Sequence, residues 1–149
     1  MNQHETFIRK SIELAQSAVE KGNHPFGALL VKDGEIILTA ENSVHTENDC
    51  TRHAELNLVS QAVRQFDEAI LNQSTLYTST EPCAMCSGSI YWSGIAAVVF
   101  ACSVEGLASI TGGNLLLPCR EVFSRGQRQI EVIGPILEPE SIELHKTFW

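Results

Sequence analysis

The chain has 149 residues, 44% of them hydrophobic and 19% charged, and a net charge of −8. That length buries a full core without disulfide staples, and no window approaches the roughly 18 uncharged apolar residues of a membrane span. Ten Lys and Arg stand against 18 Asp and Glu with no basic cluster, so the electrostatic footprint of a nucleic-acid binder is missing and a small neutral substrate is favoured.

In chain order, residues 4–21 carry Phe7, Ile8, Ile12, Leu14, Ala15, Ala18 and Val19 at helical spacing, and Lys21-Gly22-Asn23 closes a helix there. His24-Pro25-Phe26-Gly27 is a connector. Strand-like runs at 28–32 and 35–40 flank Asp33-Gly34, a two-residue hairpin signal. Residues 41–51 are polar and aperiodic, hence a loop. A helix is expected over 53–66 with Ala54, Leu58, Ala62 and Val63 on its buried stripe, a strand over 74–80, and a helix over 83–93. The continuous apolar run 95–101 suits a buried central strand. Thr111-Gly112-Gly113 is a turn, 115–123 is a helix broken at Pro118, 129–133 is a short strand, and 138–149 is a last helix. Helices alternating with strands in this order predict an α/β fold, a mixed sheet sandwiched between helices in one domain spanning 1–149.

Chemistry concentrates in two stretches, Arg52-His53-Ala54-Glu55 and Thr80-Glu81-Pro82-Cys83-Ala84-Met85-Cys86. Cys83 and Cys86 stand one turn apart at a helix start, where free N–H groups and the helix dipole favour the thiolate. Pro82 fits that start because its missing N–H costs nothing there. His53 adds a neutral imidazole. Three protein ligands leave a tetrahedral zinc one position open for water, the arrangement of a catalytic site. Glu55, two residues past His53, remains a free carboxylate that can move protons. Either half alone is weak, since C-x-x-C also serves redox and structural zinc proteins. A thioredoxin-like reading leaves His53 and Glu55 without a task, and the reading from another class is a non-catalytic zinc module. H-x-E paired with P-C-x-x-C is the signature of zinc-dependent nucleobase deaminases. The remaining cysteines, Cys50, Cys102 and Cys119, are expected to be reduced and buried as small hydrophobes. With an N-terminus lacking a basic or apolar leader, they point to a cytoplasmic protein.

Over residues 5–105 the chain resembles the cytidine-deaminase-like superfamily, and within it the compact guanine deaminases and tRNA adenosine deaminases. The resemblance is carried by His24-Pro25-Phe26-Gly27-Ala28, Val31-Lys32-Asp33-Gly34, Asn42, Thr51-Arg52-His53-Ala54-Glu55, Leu76-Tyr77-Thr78-Ser79, and Glu81 through Trp92. It implies a three-layer α/β/α sandwich on a five-stranded mixed sheet, commonly a homodimer, with one Zn²⁺ per chain on His53, Cys83 and Cys86 and with Glu55 as proton shuttle. It further implies that Asn42 hydrogen-bonds the base, that the Ala54 backbone N–H donates to it, and that Phe26 and Trp92 give apolar or stacking contacts. Phe148 and Trp149 match the aromatics with which relatives cover the site. Tyr91-Trp92 is similar to the bacterial guanine deaminases, so the expected reaction is guanine to xanthine plus ammonia, a step of purine metabolism. Those relatives carry an acidic residue where this chain reads Thr111-Gly112-Gly113-Asn114, and Asn114 can bind a carbonyl but cannot shuttle a proton. The alternatives are a cytosine-type deaminase and then a tRNA adenosine deaminase, whose basic last helix is not matched by Glu138-Pro139-Glu140-Ser141-Ile142-Glu143.

Overall fold

The computed structural model describes residues 2–149. The first helix, α1 (Gln3–Glu20), is capped by the Asn2 side chain, which accepts from the Glu5 N–H. Strands β1 (Gly27–Lys32) and β2 (Glu35–Glu41) form the expected hairpin. Asp33 and Gly34 both have positive φ, 52° and 76°, as the tight two-residue turn requires. The polar connection that follows holds a one-turn helix, α2 (Val44–Glu47), where the sequence predicts only loop. Then come α3 (Ala54–Gln65), the short α4 (Glu68–Leu71), β3 (Thr75–Thr80), α5 (Ala84–Ser93) and the wholly buried β4 (Ala97–Cys102).

A helix that the sequence does not predict, α6 (Val104–Thr111), follows β4. Its periodicity is masked by Gly106 and by β-branched Val104, Ile110 and Thr111, all weak helix formers. The Ser103 side chain starts it by accepting from the Gly106 N–H. Gly112, at φ 86°, ends it. Residues 115–118 are not helical, and α7 (Cys119–Ser124) begins only after Pro118. β5 (Glu131–Ile133) and α8 (Glu138–Phe148) complete the chain.

The five strands lie in the order β2-β1-β3-β4-β5. β1 is antiparallel to both β2 and β3, while β3, β4 and β5 are mutually parallel, so the sheet is mixed. Alternation divides the strand residues between two cores. Ala28, Leu30, Leu76, Val98 and Phe100 pack with Leu58, Ala62, Ile90 and Phe123 from α3, α5 and α7. Leu29, Val31, Tyr77, Val99 and Ala101 pack with Phe7 and Ile8 of α1 and with Ile136 and Leu137 before α8. Helices therefore cover both faces, the expected α/β/α sandwich. Val63 departs from its expected stripe: it is 48% exposed, and Val59 takes the buried position instead. Among the described residues, no helix is long and apolar enough to cross a membrane.

The start of β1 and the middle of α1 touch backbone to backbone at Gly27. A Cβ there would stand 2.5 Å from the Ala15 nitrogen and the Ser11 carbonyl oxygen. Main chain cannot step aside as a flexible side chain can. Gly27→Ala is therefore expected to cost about 3 kcal/mol, the upper end of overpacking penalties, read as a lower urea midpoint at unchanged m-value.

Candidate metal centre and active site

Two helix starts converge at the carboxyl end of β3. His53 is the residue before α3 and Cys83 the residue before α5, both with extended backbone (ψ 153° and 177°). Cys86 lies inside the first turn of α5. His53 Nδ1, Cys83 Sγ and Cys86 Sγ all lie within 4.8 Å of one another, and Cys83 Sγ is 3.6 Å from His53 Nδ1. Ordinary Zn–S and Zn–N bonds at a tetrahedral angle separate those two atoms by about 3.6 Å.

The donor set also fits a cation electrostatically. Hydrogen bonding from Cys86 holds the Cys83 thiol down at about 4, with His53 helping and burial opposing. Cys86 is pushed up by the same bond and by burial, and His53 is raised by its bond to Cys83. A thiolate, a thiol sharing its proton and an imidazole thus face one point, a set that a borderline-soft divalent ion such as zinc satisfies.

Glu55 enters from the first turn of α3 and is 5% exposed. Burial pushes its carboxyl up to about 7, and the charge of Cys83 adds to the rise. His53, its own backbone N–H and the Thr78 hydroxyl pull the other way. It is not among the three clustered ligand residues. Ala54, wholly buried, is the first residue of α3, where a backbone N–H lacks an intrahelical partner.

Sheet register brings the remaining residues to this end. Ala28 pairs with Thr78, so Phe26 lies opposite the last residue of β3, Thr80. Glu41 pairs with Gly27, and the next residue, Asn42, donates its N–H to the Phe26 carbonyl at 3.0 Å. Asn42 is 2% exposed. Its Oδ1 accepts from the Val44 N–H at 3.1 Å, which fixes the amide and leaves Nδ2 without a partner among the described residues. Phe148 and Trp149 arrive from α8, their rings 5.9 and 5.3 Å from His24. His24 sits 6.5 Å from Phe26 and close enough to His53 to feel its charge.

Two expected contacts are not brought here. Trp92 is 84% exposed near the far end of α5, more than two turns from Cys83. It lines a groove of about 720 Å³ with Val63, Phe66, Tyr91 and Arg128. Tyr91 beside it serves packing: its hydroxyl accepts from the Gln127 N–H, and Arg128 caps its carbonyl. Asn114 is exposed in the connection between α6 and α7 and has no described hydrogen bond. Of the other cysteines, Cys102 and Cys119 are buried as expected, but Cys50 is exposed because the polar connection ahead of His53 never enters the core.

Three groups escaped the sequence reading. Glu81, 7% exposed, accepts from the Val104 N–H at 2.9 Å and the Cys119 N–H at 2.8 Å. It ties the starts of α6 and α7 to the zinc-ligand turn, a favourable place for a carboxylate. His45 Nε2 lies 2.9 Å from His24 Nε2. His145, 1% exposed, lies under Phe26 with ring centroids 5.4 Å apart. Only Glu81 had a signal, its place directly before Pro82-Cys83.

Burial pushes His145 down to about 4. Unfolded, the same imidazole takes a proton near pH ~6.5. Between those values the unfolded chain binds more protons than the native one, so stability rises with pH there. His145 costs nothing above about pH 6.5, and its stabilising contribution is lost as pH falls through about 4, a change of about 3 kcal/mol. Urea titrations at stepped pH should show that slope in the parent and a flatter one in His145→Phe.

Residues 1–102 match the family model described as the cytidine and deoxycytidylate deaminase zinc-binding region. A probable cytosine deaminase of Schizosaccharomyces pombe is 40% identical over 149 residues, covering 96% of this chain and 90% of that protein. A guanine deaminase of Bacillus subtilis is 46% identical over 99 residues, 66% of this chain and 64% of that protein. A solved structure of a tRNA:A34 deaminase superposes with a TM-score of 0.76 at 29% identity, covering 94% of this chain and 99% of that one.

Proposed function

This chain belongs to the cytidine and deoxycytidylate deaminase zinc-binding family, and we propose that within it the protein hydrolyses the exocyclic amino group of a free nucleobase, guanine first, to give the oxo base (xanthine) and ammonia. The observation that carries the choice of a small free base is the placement of Phe148 and Trp149. They pack edge-on and tilted about His24, which itself lies beside Phe26, and on this reading the chain's own last helix would narrow the entrance that an anticodon loop needs. The net charge of −8 supports the same choice.

His53, Cys83 and Cys86 would hold the zinc. Bound there, it brings the pKa of water toward ~7 and so supplies a nucleophile at neutral pH. Glu55 takes the water's first proton at its carboxylate and passes it to the ring nitrogen next to the amino-bearing carbon, then takes the second proton from the hydroxyl now on that carbon and delivers it to the departing amine as the C–N bond breaks. Burial raises that carboxyl above the usual carboxylate range, which eases its taking up the proton it must pass on. The free Nδ2 of Asn42 donates to a ring carbonyl, the Ala54 N–H offers a second donor, and Phe26 lies against the ring face. Trp92 and Asn114 are left outside this substrate set because both are exposed and nothing described ties them to the zinc ligands.

Cytosine is the second reading. It is favoured by the 40% identity to a probable cytosine deaminase across 96% of this chain, against a guanine deaminase match of 99 residues. A cytoplasmic homodimer is part of the same proposal, with Trp92 and Val63 on an apolar face that a second copy would cover. Chromatographic product analysis of the zinc-loaded protein with guanine and cytosine in competition decides the ring. Xanthine as the dominant product is the expected result, and uracil as the dominant product moves the assignment to the second reading.

A further inference from the structure

We infer that His145 is a positioning residue for this reaction: it fixes Trp149 over the substrate site by linking it to the strand that leads into the zinc cysteines. The inference rests on the proposed free-base site. His145 lies on α8 and is 1% exposed. Its Nδ1 is 3.1 Å from the Trp149 indole Nε1, and its Nε2 is 2.8 Å from the Thr80 hydroxyl. An indole N–H can only donate, so Nδ1 must accept and the proton of the neutral ring must sit on Nε2, donating to Thr80 Oγ1. Both ring nitrogens are thereby committed in one tautomer and one orientation.

The two partners belong to different parts of the site. Thr80 ends β3, three residues before Cys83. Trp149 packs on Phe148 at 4.7 Å and on His24 at 5.3 Å. The His145 ring packs tilted against Phe26, centroids 5.4 Å apart, the aromatic assigned to the substrate ring. One imidazole therefore touches the wall and the cover and anchors both to the zinc-ligand strand. A leucine or phenylalanine would fill the volume at lower desolvation cost, but it would offer Trp149 no acceptor. Trp149 follows the last turn of α8, where helices fray, so its ring needs a side-chain tether to stay in one place.

The test uses His145→Phe, which fills the volume but offers Trp149 no acceptor, and Trp149→Phe, which keeps an aromatic ring but removes the donor. Each is expected to raise KM for the free base about tenfold, the worth of one buried hydrogen bond, with kcat changed less than about threefold and zinc retained. The double variant should be no worse than either single one, because both break the same bond. A second readout needs no substrate. The chain has two tryptophans, so in a Trp92→Phe background the fluorescence anisotropy decay reports Trp149 alone. A nanosecond local motion should be absent with His145 present and appear in His145→Phe. Unchanged anisotropy decay in His145→Phe, or single-variant effects on KM that multiply in the double variant, would overturn the inference. If the zinc-loaded parent turns over no free base, the proposed function falls, while the anisotropy comparison still decides the tether.

Discussion

Glu55→Ala is expected to lower kcat/KM for the base by about 10⁴-fold, close to 5 kcal/mol of transition-state stabilisation, while zinc stays at one per chain. The size follows from how many proton transfers fall to one group. Glu55 is buried beside Cys83 and His53 yet is not one of the clustered ligands, so its removal takes away the shuttle and leaves the donor set intact. Glu55→Gln is the sharper variant. It preserves the volume and the Thr78 contact but cannot accept a proton at neutral pH, and it should be as inactive as alanine. Metal analysis and ammonia release on the same sample check both points. Loss of zinc in either variant would make Glu55 a ligand and overturn its assigned role.

His53→Ala should fail in the opposite way, losing metal and activity together. Two cysteine sulfurs remain, but the imidazole that supplies the third donor, 3.6 Å from Cys83, is gone. Zinc that binds only the native state stabilises it in proportion to RT ln(1 + [L]/Kd), about 4 kcal/mol at a thousandfold excess over Kd. A chelator should therefore lower the urea midpoint of the parent markedly and that of His53→Ala hardly at all. A variant that kept its zinc, or lost stability to chelation as the parent does, would contradict the ligand set. A non-catalytic zinc module would lose its metal in the same way, so the two variants are informative only as a pair.

The metal ligands were legible because each depends on local structure. A histidine just before α3 and two cysteines at the start of α5 are set by spacing, and a helix start is readable from Pro82 and the apolar periodicity that follows. That Phe26 and Asn42 come together at this end of the sheet was legible only through resemblance. Their meeting depends on sheet register, with Ala28 opposite Thr78 and Glu41 opposite Gly27, and no local pattern states a register. α6 was hidden by its glycine and β-branched residues, and it is held instead by tertiary ties: the Ser103 cap, the Glu81 carboxylate at Val104 and the Glu138 carboxylate at the Ser103 N–H. Trp92 sits in a family-like motif that reads as a ring contact, while the length of α5 carries it away from Cys83, a distance that the motif alone does not state. His145 is a lone histidine in an ordinary helix pattern. Its importance lies wholly in what stands beside it, Thr80 and Phe26, 65 residues and more away along the chain.

The most direct measurement is ammonia release by the zinc-loaded protein, with free guanine, free cytosine and their nucleosides set against an adenosine-wobble tRNA stem-loop. Turnover of a free base, with the stem-loop inert, is the expected result. It fits the proposed site, with Phe26 as its wall and Phe148 and Trp149 as its cover, in a chain of net charge −8. Turnover of the stem-loop alone would contradict the small-substrate assignment and mean that α8 swings clear of the entrance when RNA binds.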